Sequence, residues 1–156
     1  MEHTNKTAYS ELYVNDAQKT IAHSFDYAVN KMGYSLKEYA ELFANFKYIH
    51  LIESGDPHYT AGMSGIELAK TVCNKTDNKY GVLPYYPGKE YWTGWILSYY
   101  QWLKNMPYKT ILAKFPVENF IRAYPALHEC NKKRMFEYMD KAIFGGKNEI
   151  NNLVSR

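Results

Sequence analysis

Apolar positions recur at helical spacing along most of the chain. Ile21, Phe25, Ala28, Val29 and Met32 share one face of a helix that begins near Asp16. Gly33 follows, a residue suited to the left-handed turn that closes a helix. Ser35-Leu36-Lys37-Glu38 then forms a capping box, in which the serine hydroxyl and the glutamate carboxylate each take up a free backbone N–H. Tyr34 and Tyr39 flank it at the positions of a hydrophobic staple. The pattern runs on through Leu42, Phe43, Phe46 and Ile49, predicting one helix as far as Gly55-Asp56-Pro57. A second box, Ser64-Gly65-Ile66-Glu67 with Met63 and Leu68 as its staple, predicts a helix to about Asn74 that buries Ile66, Ala69, Val72 and Cys73.

Residues 76–88 are rich in Asn, Gly, Pro and Tyr and read as a loop. After them Trp92, Trp95, Ile96, Tyr99, Trp102 and Leu103 form an apolar stripe on a helix, which places the tryptophans and Tyr99 in the core. Tyr91, Gly94, Ser98 and Gln101 lie on another face, where small Gly94 and Ser98 predict the close approach of a second helix. Pro107 opens a helix over 108–114, and Pro116 another from Val117 to about Tyr124, where Pro125 breaks the pattern. Met135, Phe136, Met139 and Ile143 mark a last helix ending near Gly145-Gly146. No alternating strands appear. The expected fold is all-α: a single compact domain of six or seven helices over residues 16–145, packed as an orthogonal or irregular bundle. Residues 1–15 read as a flexible arm and 146–156 as a frayed tail.

Charge and chemistry narrow the function more than they define it. The 156 residues carry a net charge of +3, too balanced for a dedicated nucleic-acid binder or an acidic nucleic-acid mimic. No apolar leader and no run of about 20 apolar residues is present, so the expected location is cytoplasmic, without membrane contact. There Cys73 and Cys130 are expected as free thiols. The five histidines are scattered, and His128-Glu129-Cys130, if helical, splays its side chains about 100° apart. No metal, no cofactor and no catalytic residue is therefore expected. The serine of Gly62-Met63-Ser64-Gly65 is explained as a helix cap, and no phosphate-binding glycine loop is present, so the chain is not expected to be an enzyme.

The outlier is aromatic content: 16 Tyr, 7 Phe and 3 Trp. Tyrosine has an apolar body and a polar tip, which suits half-buried surfaces and interfaces. Tyr80, Tyr85, Tyr86, Tyr91 and Tyr100 gather around the Trp-rich helix and are the candidate partner-binding residues. The leading expectation is a non-enzymatic protein-interaction module, with another protein as partner and a homodimer left open. A second reading is a small-molecule sensor whose pocket is lined by Trp92, Trp95 and Tyr99. A third is weak nucleic-acid binding through phosphate contacts from Lys132, Lys133 and Arg134.

One resemblance adds a setting. Glu90-Tyr91-Trp92-Thr93-Gly94-Trp95, with Leu97 and Tyr99-Tyr100-Gln101-Trp102, resembles the hallmark of an uncharacterised Firmicutes family. Asp26-Tyr27-Ala28-Val29-Asn30, Gly33-Tyr34-Ser35-Leu36, Gly62 through Ala69, and Tyr124-Pro125 through His128-Glu129 are similar to it as well, so the resemblance spans roughly 22–143. In that family the helical domain is joined to a C-terminal helix-turn-helix of the Xre (Cro/repressor-like) type. No such segment follows here, so direct operator binding is not carried over. The resemblance implies the companion domain of a regulator, antitoxin-like or acting as an inhibitor in phage or host defence.

Overall fold

The two capping boxes form as their spacing requires. In the computed structural model, which describes residues 6–76 and 88–145, Ser35 Oγ accepts the Glu38 N–H at 3.0 Å and Glu38 Oε1 accepts the Ser35 N–H at 2.8 Å. Ser64 and Glu67 repeat the arrangement at 3.1 Å in both directions. These caps set the starts of α2 (Leu36–Ala44) and α5 (Gly65–Val72), while α1 (Val14–Asn30) precedes them.

The helix expected between residues 35 and 54 is two helices. Helix α2 ends at Asn45, whose backbone N–H and side-chain amide both donate to the Glu41 carbonyl, at 3.0 and 2.9 Å. The short α3 (Ile49–Glu53) follows, and after Gly55, at φ +78°, Asp56 caps α4 (Pro57–Thr60). Beyond the loop come α6 (Lys89–Lys104), α7 (Tyr108–Lys114), α8 (Val117–Leu127) and α9 (Lys132–Phe144). Helix α8 runs past Tyr124 because Pro125 falls in its last turn, where it forfeits a single backbone bond. The described residues thus form an all-α unit of more helices than expected, with no strand among them.

Helix α1 is the axis of the fold and packs chiefly against α6 and α5. The small residues do what their spacing predicts. A Cβ on Gly94 would lie 2.8 Å from the Ala22 Cα and 3.1 Å from the Ile21 carbonyl oxygen, so α6 meets the backbone of α1 directly. Gly65 is pressed similarly against His23, so α5 also rides close to α1. Gln18 donates from Nε2 to the Trp95 carbonyl at 3.2 Å, and Thr20 donates to the Thr60 carbonyl at 3.2 Å, tying α1 to α6 and α4.

Much of the aromatic excess goes into the core. Phe25 meets Tyr39 and Phe43 edge-on at 4.9 and 5.3 Å, and Phe43 meets Tyr108 at 4.9 Å. Such pairs add about 0.5–1.5 kcal/mol beyond the area they bury. Tyr27, Tyr39, Tyr100 and Tyr108 are fully enclosed. Burial pushes the phenols of Tyr39 and Tyr108 well above their ordinary value.

Residues 6–13, expected as part of a loose arm, are held to the body. The Ala8 N–H donates to the Trp102 carbonyl at 2.9 Å, and the Trp102 indole donates to the Tyr9 carbonyl at 2.6 Å. The Tyr9 ring lies on Gly55, where a Cβ would be 2.4 Å from the ring. Its phenol is pushed up to about 12 by burial. The arm holds because an aromatic side chain has a glycine-sized seat, a contact between distant residues that local composition does not reveal.

Candidate interaction surface

Helix α6 turns two unlike faces in opposite directions. Its inner face carries Thr93, Gly94, Leu97, Ser98 and Gln101, all buried, with Gly94 against α1 and Gln101 donating to the Glu53 carbonyl of α3 at 3.0 Å. Its outer face carries Trp92, Trp95, Tyr99 and Leu103, which are only half-buried. Of the apolar stripe expected to be core, Ile96 and Trp102 are buried, Trp92 and Trp95 pack against the core from its edge, and Tyr99 and Leu103 complete a partly exposed outer ridge. The inner face is the one whose small residues allow a backbone to approach.

Tyr99 and Tyr100 exchange their expected places. Tyr100, a candidate contact residue, is 0% exposed and donates its phenol to Asp140 Oδ1 at 2.7 Å, so it is not part of the surface. Lys104 holds the other oxygen of the same carboxylate at 3.2 Å. Burial and the negative Asp140 push the Tyr100 phenol well above its ordinary value. Tyr99, expected inside, is half-exposed and stacks on Phe136 at 5.1 Å with the rings 9° from parallel. Tyr91 is half-buried on α6. Tyr80, Tyr85 and Tyr86 lie outside the described residues.

The outer ridge extends onto α8 and α9. Trp92 meets Phe120 and Tyr124 edge-on at 6.3 and 5.5 Å, and Tyr124 stacks on His128 at 4.1 Å. One turn along, Lys132 Nζ sits 3.7 Å from the centre of the Trp95 ring, a cation–π contact. Desolvation there lowers the affinity of the Lys132 amine for its proton. The candidate pocket residues and the candidate phosphate contacts, thirty-odd positions apart in sequence, thus share one surface. Trp92 and Trp95 are spread along the ridge, and Tyr99 borders a shallow depression of about 470 Å³ with Lys132, Lys133 and Phe136.

Comparison with known protein families, with curated proteins and with solved structures finds no match to this chain. The surface is therefore read from its own chemistry.

Electrostatically its α9 end is unusual. Lys132, Lys133 and Arg134 occupy the first turn of α9, with no acidic residue in that turn. The helix dipole is positive at that end, so each cation is opposed by an interaction of about 0.3–1 kcal/mol. Asn131 caps the helix by accepting the Lys133 N–H at 2.9 Å. His128 and Glu129 do meet, at 3.3 Å, because they lie in the turn after α8, while Cys130 Sγ contacts the Ala126 carbonyl instead. Among the described residues no group of three or more His, Cys, Asp or Glu converges as metal ligands. No described helix is long and apolar enough to cross a membrane.

Two features had no warning in the sequence pattern. A groove of about 810 Å³ opens between α2 and α5, lined by Tyr34, Leu42, Phe46, Tyr48, Tyr59 and Val72 among others. Leu42 and Tyr48 at its lip are 39% and 41% exposed. It exists because α2 stops at Asn45, which turns Phe46 and Tyr48 off the helical line. The second is a buried polar cluster where α1 faces α6. Asp26 is 1% exposed, and its Oδ1 accepts from Asn30 at 2.6 Å while Oδ2 has no partner. Asn30 also reaches Glu90 at 3.4 Å. Burial pushes the Asp26 carboxyl up despite that amide.

Proposed function

We propose that the protein is a non-enzymatic interaction module that binds another protein through the outer ridge of α6 and the adjoining turns of α8 and α9. The observation carrying this reading is the partly exposed row Trp92, Trp95, Tyr99, continued by Tyr124 and Phe136. Large amphipathic rings held in fixed contacts lose little side-chain freedom on binding, and Trp and Tyr dominate protein contact energetics. The regulator or antitoxin-like setting implied by the family resemblance agrees with such a module and belongs to the same proposal, as does a cytoplasmic location. The test is affinity capture from the source cells with the wild-type chain and with Trp95→Ala, using the groove variant Leu42→Ser as control. A stoichiometric protein retained by wild type and Leu42→Ser but lost on Trp95→Ala supports the reading. Absence of any such protein, or equal retention by all three, overturns it.

The small-molecule reading moves from the tryptophans to the α2–α5 groove. Its volume falls within the roughly 300–1,000 Å³ usual for ligand sites. A metabolite screen by thermal shift, with Tyr48→Ala as control, distinguishes this reading from the first.

A further inference from the structure

We infer that the partner of this ridge presents an acidic segment of protein, seated across the depression between Tyr99, Lys132, Lys133 and Phe136. The inference rests on the interaction reading and adds the chemistry of the partner. Its ground is a juxtaposition of α6 and α9: Lys132 and Lys133 stand beside the partly exposed rings of Tyr99 and Phe136, around a concave seat of about 470 Å³.

The charges around that seat do not cancel among themselves. Asp140 is already held by Lys104 and by the Tyr100 phenol. Glu129 is directed to His128, on the far side of the α8–α9 turn. Glu137 is the other carboxylate lining the seat, set against Lys132 and Lys133, with Arg134 next to them in the first turn of α9. Lys132 is held over the Trp95 ring, but Lys133 and Arg134 make no ion pair among the described residues and add to the positive end of the α9 dipole. A carboxylate-bearing segment would meet both the side chains and the dipole, while its apolar residues would rest on Tyr99, Leu103 and Phe136.

A single-stranded nucleic acid would seek the same cations, but it needs open ring faces on which bases stack. Here one face of Tyr99 is taken by Phe136, one face of Tyr124 by His128, and Lys132 lies over Trp95. The rings are arranged as packed walls rather than as platforms. That favours a protein segment.

The test uses fluorescence anisotropy with the full chain and three labelled probes. These are a twelve-residue peptide alternating Glu with Leu and Phe, the same peptide with Lys for Glu, and a twelve-nucleotide oligothymidylate. The expected result is binding of the acidic peptide alone, weakened at least tenfold by Lys132→Glu combined with Lys133→Glu. It should weaken again when salt is raised from about 50 to 200 mM, since the screening length for exposed charges shortens from about 14 Å to about 7 Å. Far-ultraviolet circular dichroism shows that the variant remains folded, and Lys109→Glu with Lys114→Glu on α7 controls for net charge. Equal affinity for the acidic and basic peptides, no binding of the acidic peptide, no loss in the Lys132/Lys133 variant, or tighter binding of the oligothymidylate would each overturn the inference. If the acidic peptide fails while Trp95-dependent capture succeeds, only the partner chemistry falls. If both fail, the interaction reading falls with it.

Discussion

The inner and outer faces of α6 belong to one helix and answer to different demands. The inner face buries Thr93, Gly94, Ser98 and Gln101, and at Gly94 it lets α1 approach to backbone contact. The outer face uses Trp92, Trp95 and Tyr99 and leaves them half-exposed. Aromatic residues at helical spacing usually mark a core, but here small residues mark the tighter interface. Close packing depends on the gap between axes, and large rings at Gly94 or Ser98 would hold the helices apart.

The comparison can be broken most forcefully at Gly94. Gly94→Val places branched carbons against the Ala22 Cα and Ile21 carbonyl, neither of which can swing aside, and should cost about 3 kcal/mol, measured by urea denaturation. A cost under about 1 kcal/mol would show that the inner face is loose. Tyr100→Phe comes next. It removes a phenol donor from a carboxylate, worth about 1.5–3 kcal/mol when buried, although Lys104 still holds Asp140. A stability change near zero would mean that Tyr100 belongs with the ridge after all.

The tyrosines of the interior also sharpen the contrast through pH. The folded-state values of Tyr9, Tyr39 and Tyr108 are raised, so the unfolded chain loses its phenolic protons first as pH rises. Stability is then full below about pH 10 and falls as pH climbs through 10 towards 12, each such tyrosine adding a slope of about 1.4 kcal/mol per pH unit. Thermal melts between pH 8 and 11 test this, and Tyr39→Phe should flatten the decline. The smallest expected effect is at Trp95→Ala, whose ring is half-exposed. A loss of about 1 kcal/mol or less, with a large loss of partner binding, separates contact surface from core.

Element starts were legible where the chemistry is local. Ser35 with Glu38, and Ser64 with Glu67, identify their own helix ends, because both partners of each bond lie within four residues. The break at Asn45 was less visible, since Leu42, Phe43 and Phe46 keep a helical period across it. The helix ends at the backbone of Asn45, a local turn that a hydrophobic pattern does not register. Tyr99 and Tyr100 show the same limit for the site. Neighbours on a helix point about 100° apart, so one faces inward and one outward, yet both sit among apolar residues in sequence. Only the placement of Gly94 and Ser98 against α1 decides between them. Lys132, Lys133 and Arg134 were legible as cations, but their place beside Trp95 depends on how α9 returns to α6.

The seat of Tyr9 on Gly55 and its carbonyl's bond to the Trp102 indole bear on the order in which the protein assembles. That bond joins residues 93 positions apart, closing α1 to α6 into one loop. A closure so long carries a large entropic cost and gains nothing until α6 is already in place. The strap is therefore expected to form late in folding and to open first in the native state, ahead of the α1–α6 core. The Ala8 amide, bonded to the Trp102 carbonyl, is its natural reporter: it should exchange with solvent through local release, while the amides of α1 wait for global unfolding.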